Sequence, residues 1–140
     1  MIFKVLKRVS VLWICGAITV WAGDIALDRD TNLMWEDRPV VIEEVRTFIE
    51  ARRYCQDLIL ENYSDWRVPL IDELMTLIDK RYYKPAEKPL FIYSSSNWYW
   101  SRSQFTNDKS KAWSINFFNG SDDYRSKLEY QYVRCVRRKK

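Results

Sequence analysis

Apolar positions recur along this chain with two periods, and the period changes near the middle. From Glu43 to Leu60, Val45, Phe48, Ile49, Cys55, Leu58 and Ile59 fall at helical spacing, with Arg46, Glu50, Arg53 and Gln56 on the other side. The pattern predicts a helix over 43–60 with Cys55 on its packed face. Glu43 and Glu44 occupy its first turn, where negative charge suits the helix dipole. Ile71, Leu74, Met75 and Ile78 follow at i, i+3, i+4 and i+7 and predict a second, shorter helix over 71–80. Between the two lies the loop Tyr63-Ser64-Asp65-Trp66-Arg67-Val68-Pro69. A large aromatic is costly to leave in water, so Trp66 is expected to anchor this loop on the core. Asp65 and Arg67 flank it and are expected to pair or to satisfy backbone groups.

Elsewhere the period is two. Ile25 and Leu27 alternate with smaller or polar residues, 28–32 is turn-rich, and Leu33-Met34-Trp35 resumes a strand. Leu90 to Tyr93 reads as a brief strand after a proline-bearing loop. Trp98 to Ser101 is an aromatic strand. Ala112 to Phe118 alternates, with Trp113, Ile115 and Phe117 on one side and Ser114 and Asn116 on the other. Asn119-Gly120 can close a hairpin, with a return strand over 124–128. A last strand over 130–137 puts Val133 and Cys135 on one face. Helices first and antiparallel strands later make the class α+β.

The first residues read as an address. Lys4, Lys7 and Arg8 precede an apolar run from Val9 to Val20, and Val20-Trp21-Ala22 offers a cleavage site. This is the layout of a signal peptide over 1–22; the competing reading is an uncleaved anchor, for which the run is short. The chain carries 23 basic and 19 acidic residues, and three of the basic ones but no acid lie in this leader. The balance therefore falls from +4 to +1 without it. What basic excess is left gathers at Arg134, Arg137, Arg138, Lys139 and Lys140, which reads as a solvated tail rather than a nucleic-acid surface. Cys15 lies in the leader, which leaves Cys55 and Cys135. An even count in an exported chain implies a disulfide, the alternative being two separately buried thiols. Such a bridge would join the first helix to the last strand and close residues 23–140 into one domain.

Taken in order, several blocks resemble one family. Leu33 to Asp37, then Tyr54-Cys55, Tyr63 to Pro69 and Glu73-Leu74, are similar to the opening box and central signature of the Lcl C-terminal domain family, which ends a bacterial collagen-like adhesin. Tyr99-Trp100-Ser101, Ala112-Trp113, Asn116-Phe117, Asn119-Gly120 and the stretch 133–137 resemble its later blocks. The resemblance covers about residues 25 to 138. It implies a C-type-lectin-like fold: two helices, a small antiparallel sheet and a helix-to-last-strand disulfide. Trp35, Asp65, Trp66, Arg67, Trp100 and Trp113 stand at its structural positions. It implies adhesion through sulfated glycans, although no collagen-like repeat precedes the domain here. Asn32 and Asn62 stand where the family pattern favours glycine, and both tolerate a left-handed backbone.

The chain has no histidine. That removes a His base, a His-dependent triad and the usual zinc ligands, and no cofactor is expected. The fold is also similar to that of formylglycine-generating oxidases, but both remaining cysteines serve better as a structural bridge, so no enzyme activity is expected. The Glu-Pro-Asn and Gln-Pro-Asp tripeptides of calcium lectins are missing. Asp122-Asp123 near Asn119 and Ser121 has oxygen ligands for a hard cation, yet reads better as an acidic hairpin turn, so no metal is expected. Two surfaces are left. One is aromatic and polar, from Ser94 to Trp100 with Arg102 and Gln104, where Trp98 is the exposed stacking candidate. The other is cationic, with Arg102, Lys109, Lys111, Arg125 and Lys127, interrupted by Asp108, Asp122, Asp123 and Glu129.

These readings predict a secreted, non-enzymatic binding module in the periplasm or at the cell surface. Trp98, Arg102, Lys111, Arg125 and Lys127 would bind a glycan or a cell-surface protein. No nucleic acid and no stable membrane insertion are expected once the leader is cleaved. The alternative is a structural accessory of an envelope, pilus or secretion assembly that docks one protein.

Overall fold

The computed structural model describes residues 23–140, so the predicted leader and Cys15 lie outside the described residues. Strands β1 (Ile25–Asp28) and β2 (Leu33–Glu36) form a hairpin, and β6 (Val136–Arg138) pairs with the far side of β2. The Asp28 carboxylate shapes the hairpin turn by accepting the Asp30 N–H and the Thr31 hydroxyl. Asn32 takes the left-handed backbone the turn needs, at φ 59°, and Asn62 does the same at φ 67°.

Of the helix expected over 43–60 only α2 (Phe48–Asp57) forms, and a separate short helix, α1 (Val40–Glu43), ends where it was expected to begin. Between them Arg46 is drawn into a bridge with Gln131, each N–H donating to the other's carbonyl at 2.8 and 2.9 Å. Thr47 then caps α2, its hydroxyl accepting the Glu50 N–H at 3.4 Å. The buried stripe is Phe48, Ala51, Cys55 and Leu58. Val45 lies before the cap and Ile59 after the last turn, so both are exposed; Ile49 turns outward and is 63% exposed. Helix α3 (Ile71–Met75) is also shorter than its pattern. The chain leaves it to exchange backbone hydrogen bonds with the next segment, Asp79 N–H to Ala86 O and Lys88 N–H to Leu77 O. Leu77 is thereby buried and Met75 exposed. Residues 90–93 form no strand, because the Ile92 and Tyr93 N–H groups donate to the Asp37 carboxylate at 2.9 Å each.

The second sheet, in the order β3 (Trp98–Gln104), β4 (Lys111–Asn116), β5 (Ser121–Ser126), is antiparallel throughout. The return strand therefore begins three residues before the expected 124–128. Near its start this sheet is covered on both faces. Trp100 and Ala112 pack with Phe48, Ala51, Leu58 and the cysteines on the α2 side. Tyr99, Ile115 and the following Phe117 pack with Trp35, Val41, Leu74 and Leu77 on the α3 side. That is why Ser114, expected on a polar face, is fully buried.

The expected last strand over 130–137 is a tie between the sheets. Tyr132 exchanges hydrogen bonds with Trp98 and Trp100 of β3, and only Val136–Arg138 joins β2. Cys135, between these contacts, forms the disulfide with Cys55 of α2 across 80 residues. The class is α+β as expected, with three helices and two three-stranded sheets among the described residues in place of two helices and one sheet.

Candidate functional site

The loop 63–69 spends its charges on holding itself in place. Trp66 is buried, and its indole N–H donates to Tyr63 O at 3.1 Å. Arg67 exchanges backbone hydrogen bonds with Val136, at 3.0 and 2.8 Å. Its guanidinium forks onto Glu73 at 2.6 and 2.8 Å. Burial alone would raise the Glu73 carboxyl, but the Arg67 hydrogen bonds, the Leu70 N–H and the Arg67 charge hold it below the usual carboxylate range. Asp65 pairs with Arg137, at 2.6 Å to Nε, and that guanidinium lies 3.7 Å from the centre of the Tyr63 ring. Asp65 and Arg67 therefore pair with other residues and not with each other.

The C-terminal cluster is only in part a solvated tail: Arg138, Lys139 and Lys140 are exposed, but its first two arginines are not. Arg137 and Arg134 are buried. Arg134 donates to Glu36 O at 2.7 Å and to Tyr93 O, lies 3.6 Å from Asp37, and packs 3.7 Å from the Phe91 ring centre. Of the signature tryptophans, Trp35 and Trp100 are fully buried, and Trp100 donates to Arg46 O at 2.8 Å. Trp113 is half-buried in an aromatic group with Phe105 and Tyr124.

Loop, helix and sheet together frame a polar recess of about 300 Å³ lined by Arg52, Gln56, Arg67, Val68, Arg102 and Gln104. Arg52 and Gln56 are four apart on α2 and so share a face. The register of β3 on β4 shifts between Trp100 and Gln104. This irregularity turns Arg102 toward the loop, where its N–H donates to Pro69 O at 2.7 Å. Ser103 fixes the same bend by accepting the Ile71 N–H at 3.0 Å. Lys127 reaches in from beyond β5 and donates to Gln104 Oε1 at 2.8 Å. Among the described residues Arg52 and Arg102 enter no ion pair. Two guanidiniums without a counter-charge and two carboxamides face one space. That arrangement suits an anion with several acceptor oxygens. A larger hollow of about 500 Å³ along α2 has no such bias, because Arg46 and Arg53 share it with Glu50 and Asp57.

The five residues expected to bind ligand fall in three places. Arg102 lines the recess, and Lys127 reaches its rim through Gln104. Trp98 and Arg125 meet elsewhere: the guanidinium lies 4.8 Å from the Trp98 ring centre and is tied to Glu129 at 2.8 Å. Trp98 is half-buried rather than freely exposed. Lys111 lies on the opposite face, 5.3 Å from the Tyr124 ring centre. Asp122 and Asp123 pair with Ile115 and Ser114, so they point to opposite faces of β5 and do not converge. Arg52, Gln56 and Arg67 were not among the expected binding residues. The i, i+4 spacing of Arg52 and Gln56 was readable, but not what their face would meet.

The family model of the Lcl C-terminal domain matches residues 24–137. The chain belongs to this family. No curated protein matches it. The match to the Lcl C-terminal domain runs from before β1 into β6 and so includes every element that frames the recess. Among the described residues of this Lcl C-terminal domain no helix is long and apolar enough to cross a membrane.

Proposed function

We propose that this Lcl C-terminal domain is a non-enzymatic binding module of an exported surface protein. Its recess between α2, the 63–69 loop and β3 takes sulfate or carboxylate groups of an anionic glycan. One observation carries the reading: Arg52 and Arg102, from different elements and without counter-charges, converge beside Gln56 and Gln104. Lys127 extends the positive rim. The two sheets and the disulfide from α2 to the segment before β6 support the C-type-lectin-like architecture that the family resemblance implies.

The test is a panel of sulfated and unsulfated polysaccharides, at low and physiological salt, with calcium and with chelator. The expected result is binding to sulfated chains that weakens with salt and ignores chelator. Arg52→Glu with Arg102→Glu should abolish it, while Trp98→Ala with Arg125→Glu should reduce it severalfold at most. Loss with the second pair and not the first would move the site to Trp98. Binding unchanged by both would sink the glycan reading.

A further inference from the structure

Strand β5 is an edge. Among the described residues it pairs only with β4, and Ser121, Asp122, Asp123 and Tyr124 are all exposed. The directions of its backbone groups follow from the register. Lys127 N–H donates inward to Ser110 O, and Lys111 O accepts from Phe105 on the β3 side. Odd-numbered residues of β5 thus turn their N–H and C=O toward β4, and Asp122, Tyr124 and Ser126 turn theirs outward. The Tyr124 N–H is held at 2.9 Å by the exposed carboxylate of Asp123, and Ser126 O accepts the Glu129 N–H at 3.0 Å. No proline interrupts this edge. Edges of this kind are templates for a further strand.

We propose that the strand added to β5 is β5 of a second copy of this chain, antiparallel, giving one continuous six-stranded sheet across a two-fold axis. The charge pattern selects both the partner and the register. A two-fold perpendicular to the sheet keeps each residue on its face, so facing residues have the same parity. Only outward-turned residues can form the close hydrogen-bonded pairs. With Tyr124 opposite Tyr124 of the second copy, Asp122 faces Ser126 and Asp123 faces Arg125, twice over. Shifting by one step one way opposes Asp123 to itself; the other way opposes Arg125 to itself. Like charges directly opposite are destabilising. The register on Tyr124 is thus the one in which opposite charges meet and no like charges do. Asp123 then exchanges its own strand's N–H for the partner's guanidinium and frees the Tyr124 N–H to cross the interface.

Asp123 and Arg125 pair with Ser114 and Ala112, so they lie on the α2 side of the sheet. The recess also lies on that side, between α2 and β3. The two-fold therefore presents both recesses of the pair on one side, which supplies two-point attachment. The pairing does not depend on what the recess binds, since the tests below read mass and cross-linking alone.

The experiment is sedimentation of the purified protein from about 1 µM to about 1 mM. A concentration-dependent dimer is expected. Arg125→Asp and Asp123→Arg, each alone, should weaken it about tenfold or more, and the two together should restore it. A circular dichroism spectrum like that of the parent identifies variants that have folded. A second measurement needs no charge change. In a Cys15→Ser background, Tyr124→Cys should form a covalent dimer under mild oxidation, because it alone faces itself across the axis; Asp123→Cys should not. A monomer throughout the range overturns the proposal. So does a dimer indifferent to both single reversals, a charge swap that fails to restore it, or faster cross-linking through Asp123→Cys.

Discussion

The two sheets use arginine in opposite ways. Around β1-β2-β6 every buried or half-buried guanidinium is engaged: Arg38 with Glu36, Arg67 with Glu73, Arg134 with Asp37 and two carbonyls, Arg137 with Asp65. These pairs cross between loops and strands and fix where each goes. Beside β3-β4-β5, Arg125 is tied to Glu129, but Arg52 and Arg102 enter no ion pair and face a recess. The difference teaches that a guanidinium's role here follows from the company its element keeps. A charge that closes a long-range contact serves the fold. One held over open space by a fixed backbone is left for something outside the chain.

The strongest way to break the contrast is to cut the link between the two halves. Cys55→Ala with Cys135→Ala opens a closure of 80 residues and should cost about 4 kcal/mol by chain entropy. Urea unfolding checks this, and an unchanged midpoint would mean that the halves hold together without the bridge. Next comes Arg134→Met. It leaves the Asp37 carboxylate buried without its cation and should cost about 3 kcal/mol or more. Adding Asp37→Asn should recover part of that loss; no recovery would show that the Glu36 and Tyr93 carbonyls, not the ion pair, need Arg134.

A smaller effect is expected at the 63–69 loop. Glu73→Gln should cost about 1.5 kcal/mol near pH 7. The folded Glu73 carboxyl lies below its unfolded value, so its contribution is complete above an unfolded pKa of about 4.3 and fades as pH falls through the folded one. The gap between variant and parent should close in acid. A gap that widens there reverses the sign and rejects the assignment. The smallest effect is the most telling: Arg52→Ala and Arg102→Ala should each leave the unfolding free energy within about 0.5 kcal/mol. A loss above about 1 kcal/mol in either would make the recess part of the scaffold.

Much of the first region was legible. The hairpin before Trp35, the burial of Trp66 and Trp100, the left-handed Asn32 and Asn62 and the Cys55–Cys135 bridge all follow from local patterns or the family's ordered blocks. The break between α1 and α2 had a signal that hydrophobic spacing overrode, Thr47-Phe48-Ile49-Glu50, a capping pattern four residues inside the expected helix. Val45 and Ile49 matched the periodicity but not the cap. The early end of α3 had no local signal, because it depends on Leu77 and Asp79 finding partners at 86–88.

By itself the sequence determined the class, the opening hairpin, several buried aromatics and the cysteine pair, because spacing, turn chemistry and burial preference act over a few residues. Only the tertiary structure decided which arginines are spent and which are free. Arg134 and Arg137 read as tail until their partners arrived from positions 37 and 65. Arg52 had no distinguishing signal of its own, and it became part of a site only where the bend in β3 carried Arg102 to face it. A charge's worth depends on the dielectric and on the nearest opposite charge, and both are set by contacts between residues far apart in the chain.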